Sequence, residues 1–206
     1  MPWLVIASSY LLGSLPTAYL AGRLKGKDIR RLGDGNVGAA NAYRELGAKT
    51  GAIVFLLDAA KGALAIFIAE RLQAHQMVVL LSGAAAVGGH NWPVFLGFRG
   101  GRGESTTIGV LLSLITQPML ICAVPALVTL IISRNVTRAS AALFVPLPLV
   151  GWWLAVPGVL ITYSIILPVL VGITHYFRTH PHTPGDDIKA LSPPAYSGID
   201  STRPQE

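Results

Sequence analysis

Long apolar blocks separated by short polar ones dominate this chain, without the alternation of a strand or the three-and-four spacing of a half-buried helix. A helix that crosses a bilayer needs about 20 mostly apolar residues, fewer where it is broken or thins the membrane. Seven stretches meet that requirement: residues 2–22, 48–70, 76–90, 105–117, 119–133, 139–156 and 158–177. Gly13 and Pro16 are expected to bend the first, which a buried helix tolerates when neighbours satisfy the freed carbonyls. The third is short and rich in Gly and Ala, which predicts close packing. Between the fourth and fifth lies Gln117–Pro118, and their combined length favours a tight hairpin over one kinked helix. Pro157–Gly158 marks the turn between the last two. The pattern predicts an all-α integral membrane fold, a bundle of seven transmembrane helices over residues 1–178. Residues 179–206 are polar with several prolines and cannot bury enough apolar surface to fold alone, which predicts a flexible tail.

Composition strengthens the membrane reading. Hydrophobic residues make up 52% of the chain and charged residues 13%, about half the charge fraction of a soluble domain. The net charge of +6 would suit nucleic acid, but the basic residues cluster at the ends of apolar blocks, so a lipid bilayer and no nucleic acid is the expected partner. With the N-terminus outside and seven spans, all of the 16 Lys and Arg except Arg71 and Lys61 fall on the cytoplasmic side, the tail included. Merging the fourth and fifth spans would move Arg134 and Arg138 outside and spoil that asymmetry. No Lys or Arg precedes Arg23, so the first segment reads as a retained span rather than a signal peptide. The single cysteine, Cys122, lies in an apolar run and excludes an internal disulfide.

Two polar, glycine-rich segments interrupt the apolar pattern. Gly33–Arg44 reads GDGNVGAANAYR, and Gly88–Thr107 reads GGHNWPVFLGFRGGRGESTT. Glycines with Asn and Arg can expose a row of backbone N–H groups that suits phosphate, and guanidinium forks bind the same group. The topology puts both segments, Arg134–Ser140 and His175 on one face, which predicts a single anion site. Arginines at cytoplasmic loop ends are also what topology alone demands, and glycines at helix ends are often only caps. Asn36 and Asn41 among glycines, and RGGRG beside an apolar helix, are not so explained. Asp58 and Lys61 share a helix face inside the second span. They read equally as an intrahelical pair or as a lysine reaching an anionic ligand. His90 and His175 end the third and seventh spans, and either would serve as proton acceptor. No carboxylate or cysteine completes a metal site around them, and no Ser-His-Asp arrangement supplies a nucleophile, so direct transfer between two bound substrates is expected, with no cofactor. His182 and Asp187 have an HxxxxD spacing that reads as coincidence in a proline-rich tail.

Four motifs together resemble the bacterial integral-membrane acyl-phosphate:glycerol-3-phosphate acyltransferases, the PlsY family. Residues 13–47, GSLPTAYLAGRLKGKDIRRLGDGNVGAANAYRELG, are similar to the family's first motif, and DAAKG at 58–62 to its D-x-x-KG. GHNWPVFLGFRGGRG at 89–103 is similar to the second motif, and SRNVTRAS at 133–140 to the segment that joins two helices. His175 fits the start of the third motif. The resemblance implies seven helices with the active site at the cytoplasmic face of a bacterial cytoplasmic membrane. It implies acyl transfer from acyl phosphate to the 1-hydroxyl of glycerol 3-phosphate, which makes lysophosphatidic acid and phosphate for phospholipid synthesis. Asp34, Gly35, Asn36, Gly38, Asn41, Arg44, Lys61, Gly100, Gly101, Arg102, Gly103, Arg134 and Ser140 would then bind substrate or phosphate. His90 and His175 would be catalytic, unless the leaving phosphate takes the proton itself.

The chain departs from the family pattern in several places. Asp34 stands where the motif has serine, Ala40 where it has threonine, and Arg99 and Arg102 where it has lysines. Glu104 replaces an apolar residue after the second loop, and Arg178 and Pro181 replace polar residues of the third motif. These departures leave open a different phosphorylated acceptor, or a phospholipid- or phosphate-binding protein without catalysis.

Overall fold

The computed structural model describes residues 2–179, and all regular structure among them is helical. The helices are α1 Pro2–Gly13, α2 Thr17–Leu24, α3 Ala39–Leu46, α4 Ala48–Arg71, α5 Gln76–Asn91, α6 Glu104–Leu114, α7 Thr116–Ser133, α8 Val136–Phe144, α9 Leu147–Trp153 and α10 Gly158–Thr179. Short 3₁₀ turns lie at Ile29–Arg31 and Val94–Leu96.

The first apolar stretch breaks where its glycine and proline predict. α1 ends at Gly13 and α2 begins at Thr17, because Pro16 has no N–H to continue the ladder. The second, third and seventh stretches are α4, α5 and α10. The fourth and fifth part at Ile115, not at Gln117–Pro118. Pro118 instead lies in the first turn of α7, where a missing N–H leaves no bond unmade. The sixth stretch is not one helix but two, α8 and α9, separated at Val145–Pro146. Pro146 and Pro148 impose that break. The tail, with His182 and Asp187, lies outside the described residues.

Close backbone approach holds the bundle together. α4 packs on α6 through Gly62 and Gly109. A Cβ at Gly109 would overlap the Ala59 carbonyl, and one at Gly62 the Thr106 carbonyl. Such small-residue contacts bring helices together where burial from water cannot. Ile66, Leu111, Leu147 and Leu167 lie fully inside the resulting core, and the Tyr163 hydroxyl donates to the Leu80 carbonyl at 2.7 Å. Outward, Trp152, Trp153, Ile132 and Phe177 are exposed, as befits a surface that meets hydrocarbon. Among the described residues, four segments are long and apolar enough to cross a membrane: Pro2–Leu24, Ala48–Arg71, Thr116–Ser133 and Gly158–Thr179.

The polar segment after α2 is folded rather than a plain loop. Ala18, Ile29, Val37, Ala42, Leu46 and Val54 form a second small core that fixes α3 against α4. This fold carries Asp34 and Arg44 to the second glycine segment.

Candidate active site

The break between α1 and α2 sets the inner wall of the site. Lys61 on α4 donates its Nζ to the Leu15 carbonyl at 3.0 Å and lies 2.9 Å from Asp58 Oδ1. Thr17 Oγ1 donates to the same carboxylate oxygen at 2.5 Å, and His90 Nδ1 lies 3.6 Å from it. Asp58 is fully buried, and Lys61 and His90 nearly so. Lys61 thus makes the intrahelical pair, one of its two readings in the sequence, with its Nζ shared between Asp58 and the broken helix. His90 likewise faces Asp58 beneath the second glycine segment. Lys61 and His90, with Ser14, Thr17, Gly100 and Gly101, line a recess of about 10 Å³, room for roughly one water molecule.

The second glycine segment lies directly on His90. Gly101 N–H donates to the His90 carbonyl at 3.0 Å and Gly100 N–H to the Asn91 carbonyl at 3.2 Å. A Cβ at Gly101 would overlap the imidazole Nε2. Glycine is required here for close approach, and these two amides are spent within the protein rather than offered to phosphate. Gly103, at φ +84°, then turns the chain into α6. Arg178, at the end of α10, donates to the carbonyls of Gly100 and Asn91, and Thr174 donates to the Arg102 carbonyl at 3.3 Å. These bonds tie α10 to the segment.

The first segment is fastened in the same manner. Asn41 is fully buried and its Nδ2 donates to the carbonyls of Leu32 and Asn36, each at 3.0 Å. It is the internal staple of the segment and not a ligand-facing donor. Gly35 N–H is taken by the Leu32 carbonyl at 3.0 Å, and Gly38 caps α3. Asn36 N–H donates to Asp34 Oδ1 at 3.2 Å. Further back, the Arg30 guanidinium pairs with Asp28 at 2.7 Å and holds that carboxyl down to about 2.

The two segments meet at Asp34. Its Oδ2 accepts from Arg102 Nη2 at 3.0 Å and lies 3.1 Å from Arg44 Nη2. Arg102 Nε is buried with no hydrogen-bond partner. Arg102 also stands at the mouth of a groove of about 400 Å³ between α8, α9 and α10. Its wall is apolar, with Phe144, Val145, Pro148, Ile165, Pro168 and Val169, while Arg102, Glu104, Ser140 and His175 make its polar end. Ser140 Oγ hydrogen-bonds to Glu104 Oε1 and lies 2.8 Å from the Val136 carbonyl. Arg134 ends α7 in an αL conformation, exposed, and lines neither recess.

Of the residues singled out in the sequence, Arg102, Ser140 and His175 line the groove, and Asp34 with Arg44 adjoins it through the ion pair to Arg102. Lys61, His90, Asn41, Gly100 and Gly101 lie behind it as its support. The groove wall was not foreseen. Its one signal was the run of prolines at 146, 148 and 168, which interrupts helices that would otherwise close against each other.

Comparison with known proteins bears on this geometry. The family model for glycerol-3-phosphate acyltransferases matches residues 3–180. Glycerol-3-phosphate acyltransferase 4 of Dehalococcoides mccartyi is 52% identical over 185 residues, which cover 87% of this chain and 97% of that protein. Glycerol-3-phosphate acyltransferase 1 of the same organism is 41% identical over 171 residues, 80% of this chain and 82% of the relative. Among solved structures, the glycerol 3-phosphate form of PlsY, an integral membrane glycerol 3-phosphate acyltransferase, superimposes with a TM-score of 0.79. It is 30% identical and covers 91% of this chain and 98% of its own. The lysophosphatidic acid form gives 0.77 at 31% identity, over 92% and 91%. With its described residues all helical in their regular structure, apolar helices exposed to their surroundings and Arg102 on the lining of an apolar groove, the chain matches these proteins over nearly all of its described length, and it belongs to the family of integral membrane glycerol-3-phosphate acyltransferases.

Proposed function

We propose that this acyltransferase moves a fatty acyl group from acyl phosphate to the 1-hydroxyl of glycerol 3-phosphate, releasing lysophosphatidic acid and inorganic phosphate. The observation that carries the reading is the placement of Arg102, joined through Asp34 to Arg44, on the lining of a groove of about 400 Å³ with an apolar wall. A fatty chain lies in such a groove without needing a soluble carrier, and its phosphate head reaches the arginines. The carbonyl carbon then falls between them, beside Ser140 and His175. The 1-hydroxyl oxygen attacks that carbon, the bond from carbon to the phosphate oxygen breaks, and the hydroxyl proton passes to His175 or to the departing phosphate. Guanidinium groups stabilise the charge that grows on the leaving oxygen.

The charge pattern supports a multi-pass protein of the bacterial cytoplasmic membrane. It would have seven spans, with α8 and α9 making the sixth, the N-terminus outside and the groove mouth at the cytoplasmic face. Residues 1–178 would be the membrane domain and 179–206 a cytoplasmic tail. The test is purified protein with acyl phosphate and labelled glycerol 3-phosphate. Wild-type protein forms labelled lysophosphatidic acid, and Arg102→Ala abolishes its formation while the protein stays folded. Normal turnover by that variant removes the arginine from the phosphate site. Binding of lysophosphatidic acid by the wild type without turnover would make the chain a non-catalytic lipid-phosphate binder.

A further inference from the structure

Asp34 lies between the two arginines that the proposed function assigns to phosphate. Its Oδ2 lies 3.0 Å from Arg102 Nη2 and 3.1 Å from Arg44 Nη2, and its Oδ1 accepts the Asn36 amide at 3.2 Å. The side chain is 33% exposed, against 48% for Arg44 and 17% for Arg102. The ion pairs are therefore open on one side and can be exchanged. Arg178, a further cation near Arg102, is spent on the carbonyls of Gly100 and Asn91, and Glu104 adds a second negative group on the groove lining. A phosphate that arrives must separate Asp34 from both arginines or lie against its charge.

We infer that Asp34 is a specificity-determining residue, an internal counter-anion that phosphate displaces before Arg44 and Arg102 can hold it. The inference rests on the reading of these arginines as phosphate ligands. Displacement costs every phosphate the same. A phosphate that carries an acyl chain offsets the cost by burying that chain in the groove. Inorganic phosphate has no chain and nothing to offset it with. The site therefore retains the chain-bearing donor and lets the phosphate product leave. A serine at this position, as in the family motif, has no charge with which to compete.

A purely orienting role makes the opposite prediction, since loss of Asp34 would then loosen the arginines and weaken anion binding. The test is calorimetric titration of inorganic phosphate into the full-length protein in detergent, as wild type, Asp34→Asn and Asp34→Ser, each first shown to unfold at the wild-type temperature. Phosphate binds about tenfold more tightly to both variants, the effect of removing one nearby like charge. It also inhibits acyl transfer at correspondingly lower concentration. Unchanged or weaker binding in either variant overturns the inference, because both remove the charge. If only one variant folds, its titration decides by the same sign. Tighter binding in a protein whose wild type makes no lysophosphatidic acid keeps the counter-anion and removes the proposed reaction. Turnover with unchanged phosphate affinity does the reverse.

Discussion

Lys61→Met should destabilise this protein by about 4 kcal/mol, and Asp58→Asn in the same chain should recover most of the loss. The wild-type ammonium lies 2.9 Å from a fully buried carboxylate and 3.0 Å from the Leu15 carbonyl at the helix break, and is itself only 5% exposed. Methionine nearly fills the same volume but leaves Asp58 with Thr17 and His90 alone. Removing one partner of a buried ion pair costs roughly 3–5 kcal/mol, whereas removing both charges is close to neutral. The lost hydrogen bond to Leu15, about 1 kcal/mol, falls within that range. At roughly 2–4 °C per kcal/mol for a chain of this size, the single variant melts some 8–16 °C lower. The assay uses Cys122, the one cysteine, buried to 1% exposure. A thiol-reactive fluorophore reports its release on heating in detergent. A single variant as stable as wild type would refute the assignment of Lys61 to the buried pair. A double variant no better than the single one would show that lost packing, not the stranded charge, is the cause.

Two further outcomes test the helix contacts and the polar segment. Gly109→Ala should lower the melting temperature by the equivalent of about 1–3 kcal/mol, because its Cβ lands on the Ala59 carbonyl. Gly88→Ala, in an α5 position with nothing within 4 Å, should be neutral or raise it, and equal effects would remove close packing as the reason for Gly109. Asp28, whose carboxyl Arg30 holds down from 3.8 to about 2, stabilises the fold fully above about pH 4. The contribution is lost as pH falls through about 2, where the carboxyl is protonated in both the folded and unfolded states. The gap in melting temperature between wild type and Asp28→Asn should thus be constant from pH 7 to about pH 4 and narrow below it. A gap that stays constant on further acidification would count against the pair.

Helix content and most helix ends were legible because each depends on a local property. Apolar length marks α4, α5 and α10, and proline marks the break before Thr17, whereas the division of α8 from α9 went unread although Pro146 and Pro148 impose it. Ile115 was not legible as a turn, since nothing in an isoleucine distinguishes it from a helix interior. α3 was hidden for another reason. Its apolar residues Ala42 and Leu46 are few, and they are buried only because Ile29 and Val54 come to them from elsewhere in the chain.

The sequence by itself determined that the chain is an all-helical membrane protein and which polar residues could form an anion site, since hydropathy and residue chemistry are properties of the string. It could not apportion those residues between the site and its scaffold. Asn41 and Arg44 are three positions apart, yet one is buried as a staple and the other is half exposed against Asp34. Lys61 and Arg102 are both cations in polar motifs, but one is committed to a buried carboxylate and the other stands at a groove mouth. Burial and partner depend on which helix lies opposite, and that is fixed by contacts between residues distant in sequence. The groove itself is a space between α8, α9 and α10, and only the tertiary structure decides where helices fail to touch.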